Sequence, residues 1–319
     1  MSFTIREANI NDSLVLFDMV KAYHKETNLR KKPFTNSISG FIKDCFEDKS
    51  KIFYHIAKYG ESIIGYSAFV MSYDVLKGNF LYIKEVYIKP DYRNIGVASF
   101  LFTNLVKIAH KENCFLIKCI INRTDDNKVA LITKNKFELK DDLILLNIFY
   151  DKIELFSGTI TSVPLPKVRF AKSYELHDLF GRITELATEI NEEQHIDLYK
   201  IMKDGFASNP KFKILVTLAN DEVVGFVSFY EVYNTYIGKY ISVDKVFVSK
   251  EYRNQKHSLS LLKELSKYTF NNNFKKIEAC ITKFDVEKIE QLKEFGIYPY
   301  DNLRVAELSN NDFSILLNE

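Results

Sequence analysis

The sequence predicts an α/β fold built twice in tandem, and three observations carry that prediction. Stretches with alternating apolar residues, such as Asn79 to Ile88, are interspersed with stretches where apolar residues recur at helical spacing, as at Val97, Leu101, Leu105 and Ile108. The second half repeats the first 160 positions later: Glu61-Ser-Ile-Ile-Gly65-Tyr-Ser-Ala-Phe69 matches Asp221-Glu-Val-Val-Gly225-Phe-Val-Ser-Phe229. A Gly- and Pro-containing stretch, Lys152 to Leu165, separates the copies, so residues 1–151 and 165–319 are expected to be the two domains.

In chain order, Phe3 to Ala8 reads as a short strand, and Asn11-Asp12-Ser13 caps a helix with apolar positions Leu14, Phe17, Val20 and Ala22. A second helix is expected over Ser37 to Phe46. Lys51 to Lys58, Ser62 to Ser72 and Asn79 to Ile88 form a three-strand meander with turns at Tyr59-Gly60-Glu61 and around Gly78. A helix from Val97, a strand from Phe115 to Ile121, a helix from Asp125 to Asn135 and a last strand, Leu143 to Phe149, complete the first copy. In the second copy the register holds through Asn273, Ile277 and Asp285, while its start needs a slightly larger shift, pairing Ile5-Arg-Glu-Ala8 with Val168-Arg-Phe-Ala171.

The 319 residues suit two domains, each able to bury a core. The 44 basic and 42 acidic residues leave a net charge of +2, which gives no large field for nucleic acid or an anionic membrane. Cys45, Cys114, Cys119 and Cys280 have neither metal nor redox spacing, and the chain start lacks a signal-peptide apolar run. A reducing, cytoplasmic setting without metal is the expectation. No uncharged run is long enough to span a bilayer.

The stretch that carries chemistry is Tyr82-Ile-Lys-Glu-Val-Tyr-Ile-Lys-Pro-Asp-Tyr-Arg93-Asn-Ile-Gly96-Val-Ala98, a strand, a Pro90 turn and a loop that opens a helix. First-turn amides of a helix lack intrahelical partners and lie at its positive end, so this junction suits an anionic phosphate. Arg93-Asn-Ile-Gly96-Val-Ala98 resembles the Arg/Gln-x-x-Gly-x-Gly/Ala signature of the GNAT N-acetyltransferase superfamily, and Val86-Tyr87-Ile88 resembles the strand ending that precedes it there.

The resemblance implies two tandem copies of a mixed, mostly antiparallel twisted sheet flanked by helices. It further implies that the pyrophosphate of acetyl-coenzyme A sits on the loop, with Arg93, Asn94, Ile95, Gly96, Val97, Ala98 and Ser99 around it. Asp125 and Asn127 would border the pantetheine arm, with helix capping as the competing role of Asp125. Glu85, on the strand leading to the loop, matches an acidic position that acts as a base in relatives; the alternative is an ordinary strand carboxylate paired with a lysine. The family's tyrosine acid falls on Ile132, which leaves solvent or another tyrosine such as Tyr82 to protonate the thiolate.

The second copy replaces Gly96 by Lys256 and Glu85 by Lys245, which points to chemistry in the first copy alone. Arg30-Lys31-Lys32 lies in a loop that borders the acceptor pocket in the family and suggests an acidic acceptor or contact with a coenzyme phosphate, and His24 and Glu26 in the same loop are candidates to touch the acceptor. The expected activity is transfer of an acetyl group to a primary amine of a small molecule or peptide. Rival readings are a non-catalytic acyl-coenzyme A sensor and a pair whose second copy binds a peptide or protein acceptor.

Overall fold

The computed structural model describes residues 3–27, 37–47, 50, 52–158, 164–294 and 297–317. The first copy contributes β1 (Phe3–Glu7), α1 (Ser13–Thr27), α2 (Ile38–Phe46), β2 (Phe53–Tyr59), β3 (Ser62–Asp74), β4 (Gly78–Ile88), α3 (Val97–Lys111), β5 (Leu116–Asn122), α4 (Asp126–Lys134), β6 (Glu138–Lys140), β7 (Leu143–Phe149) and α5 (Tyr150–Gly158). The second contributes β8 (Val168–Phe170), α6 (Leu176–Glu189), α7 (Leu198–Gly205), β9 (Lys213–Ala219), β10 (Glu222–Asn234), β11 (Gly238–Val248), α8 (His257–Asn271), β12 (Lys276–Thr282), α9 (Val286–Glu294), β13 (Leu303–Ser309) and α10 (Phe313–Leu317).

Each sheet is mixed and mostly antiparallel, as expected, but the sheets do not divide where the sequence copies do. One has the order β1-β2-β3-β4-β5-β13-β6 and the other β7-β12-β11-β10-β9-β8. The copies have exchanged their last strands: β13 runs antiparallel to β5 through seven paired positions from Leu303–Asn122 to Ser309–Leu116, and β7 lies along β12 in the same way. The terminal helices follow. Phe313 and Leu316 of α10 bury among Phe102, Leu105 and Phe137 of the first copy, and Ile153 of α5 buries among Leu261, Leu265 and Phe274 of the second. This corrects the expectation that Leu143 to Phe149 closes the sheet of residues 1–151. The two strands have the same length and the same order of buried positions, but Arg304 and Ser309 of β13 stand where β7 has Ile144 and Phe149.

Between the sheets lies one continuous core to which both copies contribute, including Phe41, Tyr66, Tyr73 and Tyr82 from the first and Ile183, Phe212, Phe226 and Tyr240 from the second. Tyr73 stacks on Phe212 with ring centroids 4.6 Å apart. The repeat extends to side-chain detail: the Arg6–Asp12 pair and the Arg169–Glu175 pair, 163 positions on, each close at 2.7 Å. Gly65 and Gly225 recur for a steric reason. A β-carbon at either would meet the carbonyl oxygen of Tyr87 at 2.8 Å or of Phe247 at 2.6 Å.

Two features of the first sheet prepare a site. In β4 the register against β3 skips Lys84, with Ala68 opposite Glu85 and Phe69 opposite Ile83, so Lys84 is the extra residue of a bulge. A bulge turns consecutive side chains toward one face and bends the strand. Beyond this point β4 and β5 separate, because their parallel pairing is confined to Leu81–Ile117, Tyr82–Lys118 and Ile83–Cys119. Among the described residues no helix is long and apolar enough to cross a membrane.

Candidate active site between the copies

The parting of β4 and β5 opens into a cavity of about 640 Å³. Tyr82 to Val86 of β4, Cys119 to Asn122 of β5, Tyr23 and His24 of α1 and Ile132 of α4 form one side. The second copy supplies the other: Asn234, Tyr236 and Ile237 at the β10–β11 turn, Tyr240, Lys276 and Glu278, with Asn147 of the exchanged β7.

Glu85 is buried and held by three donors. Tyr66 donates its phenol at 2.7 Å, Thr235 of the β10–β11 turn donates its hydroxyl, and His24 Nε2 lies 3.3 Å away. Burial opposes ionisation of this carboxyl, but the bonds from His24, Thr235 and Tyr66 outweigh it and hold Glu85 below its ordinary range. The same bonds fix the histidine tautomer. Thr235 has one hydroxyl proton, which goes to Glu85, so the 2.9 Å contact between His24 Nε2 and Thr235 requires the imidazole to donate. Nε2 is therefore a donor in either charge state of the ring.

Lys84 and Tyr82 belong to a second polar cluster. Lys84 donates to the Tyr240 phenol at 2.6 Å and sits 3.6 Å above the Tyr82 ring centre. Tyr82 donates to Glu278 at 3.2 Å, and Glu278 is paired with Lys276 at 2.5 Å. Burial disfavours the Glu278 charge, but Lys276 and then Lys84 reverse that and draw it down to about 2. Burial and the Glu278 charge push the Tyr82 phenol far above its ordinary value, and burial brings Lys84 down to about 7.

The loop lies at the far end of β4 from Tyr82. Pro90–Tyr92 makes a 3-10 turn, Asn94 and Gly96 take the left-handed conformation (φ 64° and 93°), and Gly96 immediately precedes α3. Val97, Ala98 and Ser99 thus occupy the first turn, where amides have no partner within the helix. A β-carbon at Gly96 would meet nothing within 4 Å, so the space in front of the turn is open. The Arg93 side chain is committed to the turn itself, with Nε donating to Ile88 O at 2.9 Å and Nη2 to Glu26 at 2.7 Å. The second copy repeats the backbone, with Asn254 and Lys256 at φ 62° and 66° and Arg253 bound to Val248 O and Glu189. The loops differ in side chains, with Lys256 at the place of Gly96 and His257, Ser258 and Leu259 at the places of Val97, Ala98 and Ser99.

Of the expected site residues, Tyr82, Glu85 and Val86 line the cavity, and Tyr87 and Ile88 carry the strand on to the loop. Asp125 caps α4 by accepting from Lys128 N at 3.1 Å, and Asn127 is exposed in the first turn. Glu26 serves Arg93, and Arg30, Lys31 and Lys32 lie outside the described residues. Sequence reasoning missed Thr235, Tyr240, Lys276 and Glu278, whose distance along the chain from Glu85 carries no local signal.

A model of the GNAT acetyltransferase family matches residues 16–135 and again 174–296. Thialysine N-epsilon-acetyltransferase of Mus musculus is 22% identical over 140 residues, 41% of this chain and 82% of that protein. The Bos taurus enzyme of the same name is 29% identical over 72 residues, 23% of this chain; the chain spans only 41% of that relative's length. Among solved structures, a tandem GNAT protein from the clavulanic acid biosynthesis pathway superposes over 97% of this chain and 99% of its own, at a TM-score of 0.58 and 12% identity. A GCN5-related N-acetyltransferase from Sphaerobacter thermophilus covers 97% and 96%, at 0.60 and 11%. With one family model fitting each half and a tandem fold shared from end to end, this chain belongs to the GNAT acetyltransferase family.

Proposed function

We propose that the protein transfers an acetyl group from acetyl-coenzyme A to a primary amine in the cavity of the first copy. The observation that carries this reading is the Glu85–Thr235–His24 relay at the parting of β4 and β5. An amine attacking a thioester sheds a proton as the nitrogen–carbon bond forms and the carbon–sulfur bond breaks. His24 serves as the proton acceptor in its neutral form, and the Glu85 carboxylate, adjacent to Nε2, stabilises the imidazolium. Glu85 thus acts through His24. The first turn of α3 receives the pyrophosphate, with Gly96 leaving room for it, while Val86 to Ile88 border the path from loop to cavity. Asp125 and Asn127, at the start of α4, face the pantetheine arm.

A second reading, a coenzyme-binding sensor without turnover, draws support from the acid side. Ile132 is buried where the family's tyrosine is expected, and the Tyr82 phenol is spent on Glu278. Incubating the full-length protein with acetyl-coenzyme A and a panel of primary amines, with thiol release and product mass as readouts, separates the two. Acetylated amine with wild-type protein that falls sharply in His24→Gln supports transfer. Tight coenzyme binding without any acetylated amine would leave only the sensor.

A further inference from the structure

We infer that the acceptor amine carries a second, anionic group, a carboxylate or a phosphate, and that Lys84 receives it where the cavity meets the second copy. The amine half of this statement rests on the acetyl-transfer reading; the anion site does not.

The argument starts from charge balance in the cavity. Five lysines line it against two carboxylates, Glu85 and Glu278. Of the lysines, Lys21 pairs with Asp18 at 2.5 Å, Lys128 with Asp125 at 3.2 Å and Lys276 with Glu278 at 2.5 Å, so that among the described residues Lys25 and Lys84 have no ion pair. Both carboxylates have closer partners than Lys84: Glu278 pairs with Lys276 at 2.5 Å and reaches Lys84 only at longer range, through the Tyr240 phenol that donates to it at 3.5 Å, and Glu85 is held by His24, Tyr66 and Thr235. Lys84 is left with a neutral phenol at 2.6 Å and an aromatic face. Burying an ammonium group on those terms costs more than a salt bridge would, which is why burial lowers its proton affinity.

The second copy supplies an internal control. Its bulge residue and the next are Asp244 and Lys245, and the buried lysine there is given carboxylates: Asp74 at 2.9 Å and Asp244 at 3.9 Å. Those groups line a cavity of only about 220 Å³. The same fold can therefore satisfy a buried lysine from within, and around Lys84 it does not. A polycationic acceptor would meet like charge here, whereas an amine that also bears an anion completes the cluster.

The test uses the full-length protein saturated with coenzyme A, so that the coenzyme's own phosphates are already placed. Calorimetry compares 6-aminohexanoate with cadaverine, two linear amines whose far ends are carboxylate and ammonium. The expectation is at least tenfold tighter binding of 6-aminohexanoate, with the preference lost in Lys84→Met. Lys84→Gln, which keeps a polar end near Tyr240, gives a second variant should the first fold poorly. Equal or tighter binding of cadaverine, no binding of either, or a preference indifferent to Lys84 would overturn the inference. Thiol release from acetyl-coenzyme A in the same samples judges the other reading. 6-Aminohexanoate bound through Lys84 yet never acetylated would keep the anion site and remove acetyl transfer.

Discussion

Lys84-Glu85 and Asp244-Lys245 occupy equivalent places in the two copies, each at a bulge that faces the other half, and their charges are reversed. In the first copy the carboxylate is wired to a histidine and, among the described residues, the lysine has no carboxylate in direct contact beside a cavity of about 640 Å³. In the second the lysine is clamped between two carboxylates and the space shrinks to about 220 Å³. The loops differ as little in backbone, since Lys256 adopts the left-handed turn that Gly96 makes. The difference between the two halves therefore lies in side chains on a shared backbone, and on the proposed reading those side chains separate a reactive half from a supporting one. Because the β10–β11 turn provides Thr235, the supporting half also completes the reactive one.

The largest expected effect comes from separating the copies. Residues 1–151 alone lose β13 and α10, which leaves β5 with an open edge and removes Leu308, Phe313 and Leu316 from the core. At roughly 1.5–3 kcal/mol for each large buried side chain, this loss approaches the about 5–15 kcal/mol that stabilises a typical domain. The fragment should show no cooperative thermal transition, and co-expression with residues 152–319 should restore it. A fragment that melts cooperatively on its own would show that the exchange is dispensable.

Next in size is the relay. Glu85→Gln should lower turnover by roughly ten- to a thousandfold, the usual contribution of a proton-transfer group, with coenzyme affinity unchanged. Full activity in that variant would reduce Glu85 to a structural carboxylate. The loops are sharpened by a reciprocal exchange: Gly96→Lys should weaken acetyl-coenzyme A binding by about tenfold or more, about 1.4 kcal/mol. A β-carbon at Gly96 touches nothing, but the φ of 93° strains a lysine there, so an unchanged melting temperature in the variant is what would assign the loss to the occupied phosphate space. Lys256→Gly should leave calorimetric stoichiometry at one per chain, and a second site appearing there would mean that the loop side chain alone had silenced the second copy.

Much of this was legible from the chain. The strands of the meander, the helix after Gly96 and the repeat all rest on local periodicity, and β2 to β5 lie within a few residues of their expected bounds. Pairing partners were not legible, because Leu143 to Phe149 and Leu303 to Ser309 are both apolar at the same four positions, Leu143, Leu145, Leu146 and Ile148 against Leu303, Val305, Ala306 and Leu308, and local pattern does not name a strand's neighbour. The site was legible in halves. Glu85 and the loop sit in one continuous stretch, whereas Thr235 reaches Glu85 across 150 positions, and a threonine in a turn carries no sign of such a partner. His24 reads in the sequence as a polar loop residue able to touch the acceptor, whereas α1 runs through it to Thr27. Its role emerges when the hydroxyl proton of Thr235 is accounted for.

The smallest expected effect tests whether the inverted pair is purely structural. Asp244 accepts from Val75 N at 3.0 Å and from Ser228 Oγ at 2.9 Å through the same oxygen. Burial, and then the neighbouring Asp74 charge, raise Asp244 from 3.8 to about 7. A carboxyl with a raised value in the folded state binds its proton more tightly there than in the unfolded chain. Between about 4 and about 7 the folded state therefore holds more protons, and this group's contribution to stability falls as pH rises through that window. In Asp244→Asn the amide oxygen can keep both accepted bonds, Lys245 keeps Asp74 at 2.9 Å, and the titration is gone. The variant and the wild type should thus differ little in melting temperature near pH 4. The variant should gain progressively toward pH 8, where about 1 kcal/mol would appear as about 2–4 °C. Acetyl transfer should be unaffected. A melting-temperature difference independent of pH, or one that narrows as pH rises, would show that Asp244 is ionised throughout and that Lys245 fully neutralises it.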